Sequence, residues 1–182
     1  MSSVVISGNT SGAITLSAPD VSGTNTATLP AATGTVMVSG NMPAFSANQS
    51  ANQSIATGTY TKIQFNTENF DTNSNYDNAT NYRFTPTVAG YYQINAQLRD
   101  ATGATTSAAG TLLCDLYKNG VEFQVARNSF NGAGLTSNLS VLMYFNGTTD
   151  YVEIYGFQNS GVAMNIGSGV NTYFNGSMVR AA

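Results

Sequence analysis

Apolar side chains recur along this chain at every second position, and no stretch places them at the three-and-four spacing of a helix. The stretch 91–98 alternates sides in this way and can lay one face on a core. The same alternation marks 59–66, 110–118, 121–130, 135–145, 150–158 and 172–179, with turn signals between them. That spacing predicts an all-β sandwich. Asn119-Gly120 and Asn146-Gly147 read as hairpin turns, because both residue types tolerate the positive φ of tight two-residue loops. Phe84-Thr85-Pro86 closes an extended segment, since proline lacks an N–H and keeps its predecessor out of the helical region. Val88-Ala89-Gly90 then supplies a turn. In 150–158, Tyr151, Tyr155 and Phe157 share one face with Glu153, while Val152, Ile154 and Gly156 share the other. Both faces therefore carry bulk to bury, where an isolated sandwich leaves one polar.

Residues 1–42 follow a different pattern. They hold one charge, Asp20, no aromatic residue, and short strand-like pieces at 13–16 and 35–38. So few large apolar side chains do not offset the conformational entropy of ordering the segment alone, so it is either disordered or folds against copies of itself. The chain divides on this reading into an extended, β-rich N-terminal segment, 1–42, and a domain, 43–182. Within the domain, Ser46-Ala47-Asn48-Gln49 repeats as Ser50-Ala51-Asn52-Gln53, which reads as a polar loop.

Composition narrows the possible partners. With 182 residues the chain has the length of one domain plus an appendage, and such a domain removes about two thirds of its unfolded surface from water without disulfides or metals. Cys114, the single cysteine, reads as a small buried hydrophobe. Charged residues make up 8% of the chain, against about 25% in globular proteins. A neutral surface rich in Asn, Ser and Thr gives no counterion release, which excludes nucleic acid and anionic membranes as expected partners. No apolar run approaches the roughly 20 residues that span a bilayer. Met1-Ser2-Ser3 lacks the basic start and apolar core of a secretion signal, so the expected route is use without Sec export or release within a larger particle.

The chemistry available is sparse. There is no histidine, which removes the usual general base and the Ser-His-Asp, Cys-His and His-metal arrangements. A carboxylate-pair glycosidase needs no histidine, but the acids are dispersed: Asp150 and Glu153 point to opposite strand faces, and Asp115 and Glu122 flank a turn. The chain is not expected to be an enzyme, and no catalytic residue or cofactor is assigned. Asp71, Asn73, Asn75 and Asp77 place oxygens at alternate positions as a calcium loop would. They are the metal candidates, although Tyr76 stands where an EF-hand has glycine and Tyr82 where it needs glutamate. Of ten Tyr and nine Phe, most read as structural, and the loop rings Tyr76, Tyr82 and Phe130 as candidates for contact with a partner or receptor.

The series Phe65, Asp71, Tyr76, Phe84, Gly90 and Tyr92 resembles the signature of the complement C1q head family, related to tumour necrosis factor. Pro43 to Ala47 resembles that family's first strand, Leu116 to Gly120 its central hairpin, and Tyr173 to Val179 its closing strand. Two departures stand out: one extra residue between Tyr76 and Phe84, and Ile94 and Ala96 where aromatics are usual. The resemblance implies a C1q/TNF-like jelly roll over 43–182, assembled as a homotrimer with an apolar sheet face on the three-fold axis, in which the fold or that axis would bury Phe65, Phe84, Tyr92, Tyr155 and Phe174; some heads of this family bind calcium. The segment from Gly12 to Gly40 resembles bacteriophage virion proteins in which three chains wind together ahead of a C-terminal head. Together these resemblances imply a non-enzymatic virion-surface protein, assembled in the host cytoplasm and joined to other virion proteins through residues 1–42. Its expected role is that of a short tail-fibre head for host adsorption, binding a host-surface glycan or protein. The alternative is a capsid decoration protein whose N-terminal segment grips the shell.

Overall fold

The computed structural model describes residues 3–21, 23–28, 31–34, 36–101, 110–130 and 135–182, the side chain of Phe130 excepted. The strands in chain order are β1 (Ser3–Ser7), β2 (Ala13–Ser17), β3 (Ala44–Asn48), β4 (Gln53–Ile55), β5 (Thr61–Lys62), β6 (Thr67–Asp71), β7 (Tyr76–Asp77) and β8 (Arg83–Phe84). They continue with β9 (Gly90–Arg99), β10 (Gly110–Lys118), β11 (Val121–Phe130), β12 (Thr136–Phe145), β13 (Val152–Gln158), β14 (Met164–Ile166) and β15 (Tyr173–Ala181). Two short 3-10 turns, Ser39–Asn41 and Gly169–Asn171, complete the described structure.

Two compact units result, Met1–Gly34 and Thr35–Ala182. The first contains the antiparallel ribbon β1–β2, in register Val4↔Leu16 and Ile6↔Ile14. Opposed residues share a face, so these four aliphatic side chains form one side of the ribbon and Ser3, Val5, Ser7, Ala13, Thr15 and Ser17 the other. Every residue of both strands is exposed. Of the two strand-like pieces expected here, 13–16 lies within β2, whereas Val36, Met37 and Val38 form no strand and Thr35 lies outside the described residues. Met37 instead packs against the core of the second unit.

The second unit is a sandwich of two antiparallel sheets. One has the order β11-β10-β13-β8-β7, with β5 also paired to β13; the other has the order β12-β9-β15-β3-β6. A short pair, β14–β4, lies apart from these ladders. The alternation read from sequence decides which face each strand buries. Tyr92, Ile94, Ala96 and Leu98 of β9 point inward with Val152 and Ile154 of β13, and Leu112, Cys114 and Leu116 of β10 join them. Cys114 is buried as expected, and burial raises its thiol pKa far above the ordinary value.

The aromatic series forms the centre of this core. Phe45 stacks on Phe84 at 4.2 Å and on Tyr76 at 5.0 Å, and Phe174 meets Phe45 edge-on at 4.8 Å. Tyr92 and Phe84 close on Phe145 from the other end. Such ring pairs add about 0.5–1.5 kcal/mol each beyond the area they bury. The two buried phenols find acceptors: Tyr76 donates to the Phe65 carbonyl at 3.0 Å and Tyr92 to the Val88 carbonyl at 2.7 Å. Gly90 is small for a reason, since a Cβ there would lie 2.5 Å from the Arg180 carbonyl oxygen on β15.

Three local expectations are corrected. Asn119-Gly120 does close the β10–β11 hairpin, with φ of 55° and 77°, but Asn146-Gly147 is not a hairpin. It begins a passage from one sheet to the other, because β12 and β13 belong to different sheets. The Asn146 side chain holds that loop by accepting from the N–H groups of Thr148, Thr149 and Asp150. The SANQ repeat is a loop only at 49–52: its first copy runs through β3, with Ala47 in the core, and its second enters β4. The region 59–66 forms a strand only at Thr61–Lys62.

Candidate functional site

The loop from Asp71 to Asp77 carries the calcium candidates, and each of their side chains is engaged locally. The Asp71 carboxylate accepts from the N–H groups of Asn73 and Tyr76, at 3.2 and 2.6 Å. Asn73 accepts from the Thr72 hydroxyl and donates to the Gly40 carbonyl. Asn75 donates to the Asn73 carbonyl and accepts from the N–H of Thr87. Asp77 takes four donors, the N–H groups of Ala79, Thr80 and Asn81 and the Asn81 amide, which together hold its carboxyl down at about 2. These are Asx-turn contacts that shape a loop. Among the described residues no three His, Cys, Asp or Glu side chains are grouped to hold a metal.

The three candidate contact rings separate. Tyr76 is no loop ring: only 6% exposed, it lies in the aromatic core, and burial raises its phenol pKa far above the ordinary value. Sequence spacing put it beside the Asx-rich run, but the pairing of β7 with β8 turns it inward. Tyr82 is half-buried, with φ of +51° beside the turn at 78–81. Phe130 ends β11, and its side chain lies outside the described residues.

Two sheet faces carry chemistry that the loops do not. The outward face of the five-stranded sheet bears a row of short amides and hydroxyls running from strand to strand. Ser140 donates to Asn95 at 2.9 Å, Asn95 to Asn175 at 3.1 Å, Asn69 to Ser46 at 3.1 Å, and Asn48 to Asn69 at 3.3 Å. A groove of about 380 Å³ lies along this row, and Tyr173 also lines it. Beyond it the face turns apolar, where Tyr91 meets Tyr144 edge-on at 5.5 Å and Leu142 stands 55% exposed. The alternation of Gln93, Asn95 and Gln97 in β9 was the available signal for this row.

The outward face of the six-stranded sheet is aromatic. Tyr117 and Tyr155 lie 4.4 Å apart, Tyr60 and Phe157 4.7 Å, and the Arg83 guanidinium sits 4.3 Å over the ring of Tyr151. Glu153, buried at the centre, pairs with Lys62. Burial, with the nearby carboxylates, raises the phenols of Tyr117 and Tyr155. Tyr151, Tyr155 and Phe157, expected on one face, thus have partners within their own chain. At the sheet's end, Asp150 ion-pairs with Lys118 at 2.9 Å and accepts from Asn119 and from the N–H of Asn146. Burial opposes this charge, but the three donors outweigh it and lower the carboxyl pKa.

No family model matches the sequence, and neither does any curated protein. Solved structures do match. The globular domain of zebrafish complement 1qA is 18% identical, with 77% of this chain and 98% of that one covered at a TM-score of 0.54. Eiger TNF from S. frugiperda is 7% identical over 78% of this chain and 93% of its own, at 0.55. Murine APRIL is 8% identical over 76% and 99%, at 0.53. The chain has the C1q/TNF-like jelly-roll fold.

Proposed function

We propose that this chain is a non-enzymatic, homotrimeric structural protein of a bacteriophage surface, a short tail-fibre head that contacts the host. The observation that carries the reading is a pair of different uncovered apolar patches on one sandwich. Leu142, Tyr144 and Tyr91 form one, on the five-stranded sheet; Val121 and Phe123, 69% and 49% exposed on the edge strand β11, form the other. A closed three-fold ring needs such heterologous patches, each copy offering one to the next. The virion assignment draws on the N-terminal resemblance, supported by a ribbon whose aliphatic face is uncovered. The low charge and the Asn-rich turn beside Tyr82 suit recognition of a neutral glycan or protein. Calcium remains a proposal attached to the Asp71–Asp77 loop alone.

The same ribbon favours a second reading, capsid decoration, in which residues 1–42 grip the shell. Light scattering of the full chain tests the trimer: a trimer at micromolar concentration is expected, and a monomer overturns the ring. Immunogold labelling of particles tests the rest. Label confined to the tail supports the fibre head, label over the shell supports decoration, and no label on particles overturns both.

A further inference from the structure

Asp115 lies in the middle of β10 on the sheet face turned away from the core, since its neighbours Cys114 and Leu116 point into the sandwich. It is nonetheless fully buried, and neither of its carboxylate oxygens has a hydrogen-bond partner among the described residues. Val125 of β11 and Tyr155 of β13 stand directly across the two ladders, and the paired rings of Tyr117 and Tyr155 lie over this part of the face. A buried carboxylate without donors is strongly disfavoured as an anion and far better tolerated as a neutral acid.

We propose that Asp115 is a proton-operated latch beneath the aromatic face of the six-stranded sheet. Protonated, it stays under the rings; ionised, it releases its proton to water, turns toward Arg127 and solvent, and loosens the Tyr117–Tyr155 pair. The groups around it set the direction. From β11 they are Glu122 and Arg127; from β13, Tyr155 and Glu153, whose charge is engaged by Lys62 of β5; from its own strand, Tyr117, with Tyr60 beyond. Burial first, and then Glu122, raise the carboxyl pKa to about 6, against the pull of Arg127. The folded carboxyl holds its proton more tightly than the unfolded one, at an ordinary 3.8, so stability falls as pH rises from about 4 to about 6 and then levels.

The chain has ten Tyr and no Trp, so tyrosine fluorescence and near-ultraviolet circular dichroism of the full chain report on these rings. Carbon-13 labelled aspartate reports on the carboxyl itself. The expected result is one step near pH 6 in both signals, with the ring step absent in Asp115→Asn. Glu122→Gln should move the midpoint to lower pH and Arg127→Gln to higher pH. An Asp115 carboxyl that titrates in the ordinary aspartate range, about pH 4, overturns the latch. So does a ring step that survives unchanged in Asp115→Asn. If that variant does not fold, the labelled wild type and the two neighbour variants decide the matter.

Discussion

The β1–β2 ribbon and strand β9 are written in the same alternating code and meet opposite fates. In β9 the inward row of Tyr92, Ile94 and Leu98 is completely buried, whereas Val4, Ile6, Ile14 and Leu16 of the ribbon stand 55 to 68% exposed. Alternation decides which side chains share a face; burial requires a second layer opposite that face. The sandwich supplies its own second sheet, and a two-stranded ribbon has none. The ribbon's stability therefore depends on whatever covers it, which in the proposed function is other copies of the chain or a virion partner.

Substitutions sharpen that contrast, and the largest effect is expected in the core. Phe45→Ala removes the ring that joins Phe84, Tyr76 and Phe174, and should lower the unfolding free energy of the second unit by about 3–5 kcal/mol in denaturant titrations. A loss below about 1 kcal/mol would mean that the stack is not the core's centre. Asp150→Asn keeps the shape but removes the charge that Lys118, Asn119 and the Asn146 N–H surround, and about 1–3 kcal/mol should be lost. Tyr76→Phe deletes only the hydroxyl that reaches the Phe65 carbonyl, and should cost about 1 kcal/mol.

The Asp77 turn adds a pH effect. Its folded pKa of about 2 lies below the ordinary 3.8, so its contribution is complete above about pH 4 and is lost as pH falls toward 2. Asp77→Asn should flatten that part of an acid-unfolding profile, and an unchanged profile would remove the turn as its source. The smallest expected effect is in the ribbon: Ile6→Ser should change the second unit's unfolding by less than about 0.5 kcal/mol. If the ribbon is covered in the assembly, the same change should be felt in attachment to the particle.

The strands and the core were legible to different degrees. Long, regularly alternating strands such as β10 and β11 begin and end where their patterns do, because the Asn119-Gly120 turn between them is local chemistry. The short strands β4, β7, β8 and β14 were not legible as strands, since two or three residues carry no period and owe their conformation to a partner distant in sequence. The candidate site was legible mainly as composition. Asn and Tyr abundance pointed to polar and aromatic surfaces, but the candidate contact and metal residues it offered were all placed on loops. The ladders instead align Ser140, Asn95, Asn175 and Ser46 into one row, and bring Tyr117 of β10 against Tyr155 of β13.

By itself the sequence determined the all-β class, the two alternating faces of the long strands, and a weakly charged composition without histidine chemistry. These follow from side-chain period and composition, which need no knowledge of distant partners. Only the tertiary structure decided that Tyr76 is a core ring, that Asn146 guides a crossing between sheets, and that Asp115 is buried without a donor among the described residues. Each depends on which strands become neighbours, and strand pairing joins residues whose spacing along the chain carries no trace of their contact.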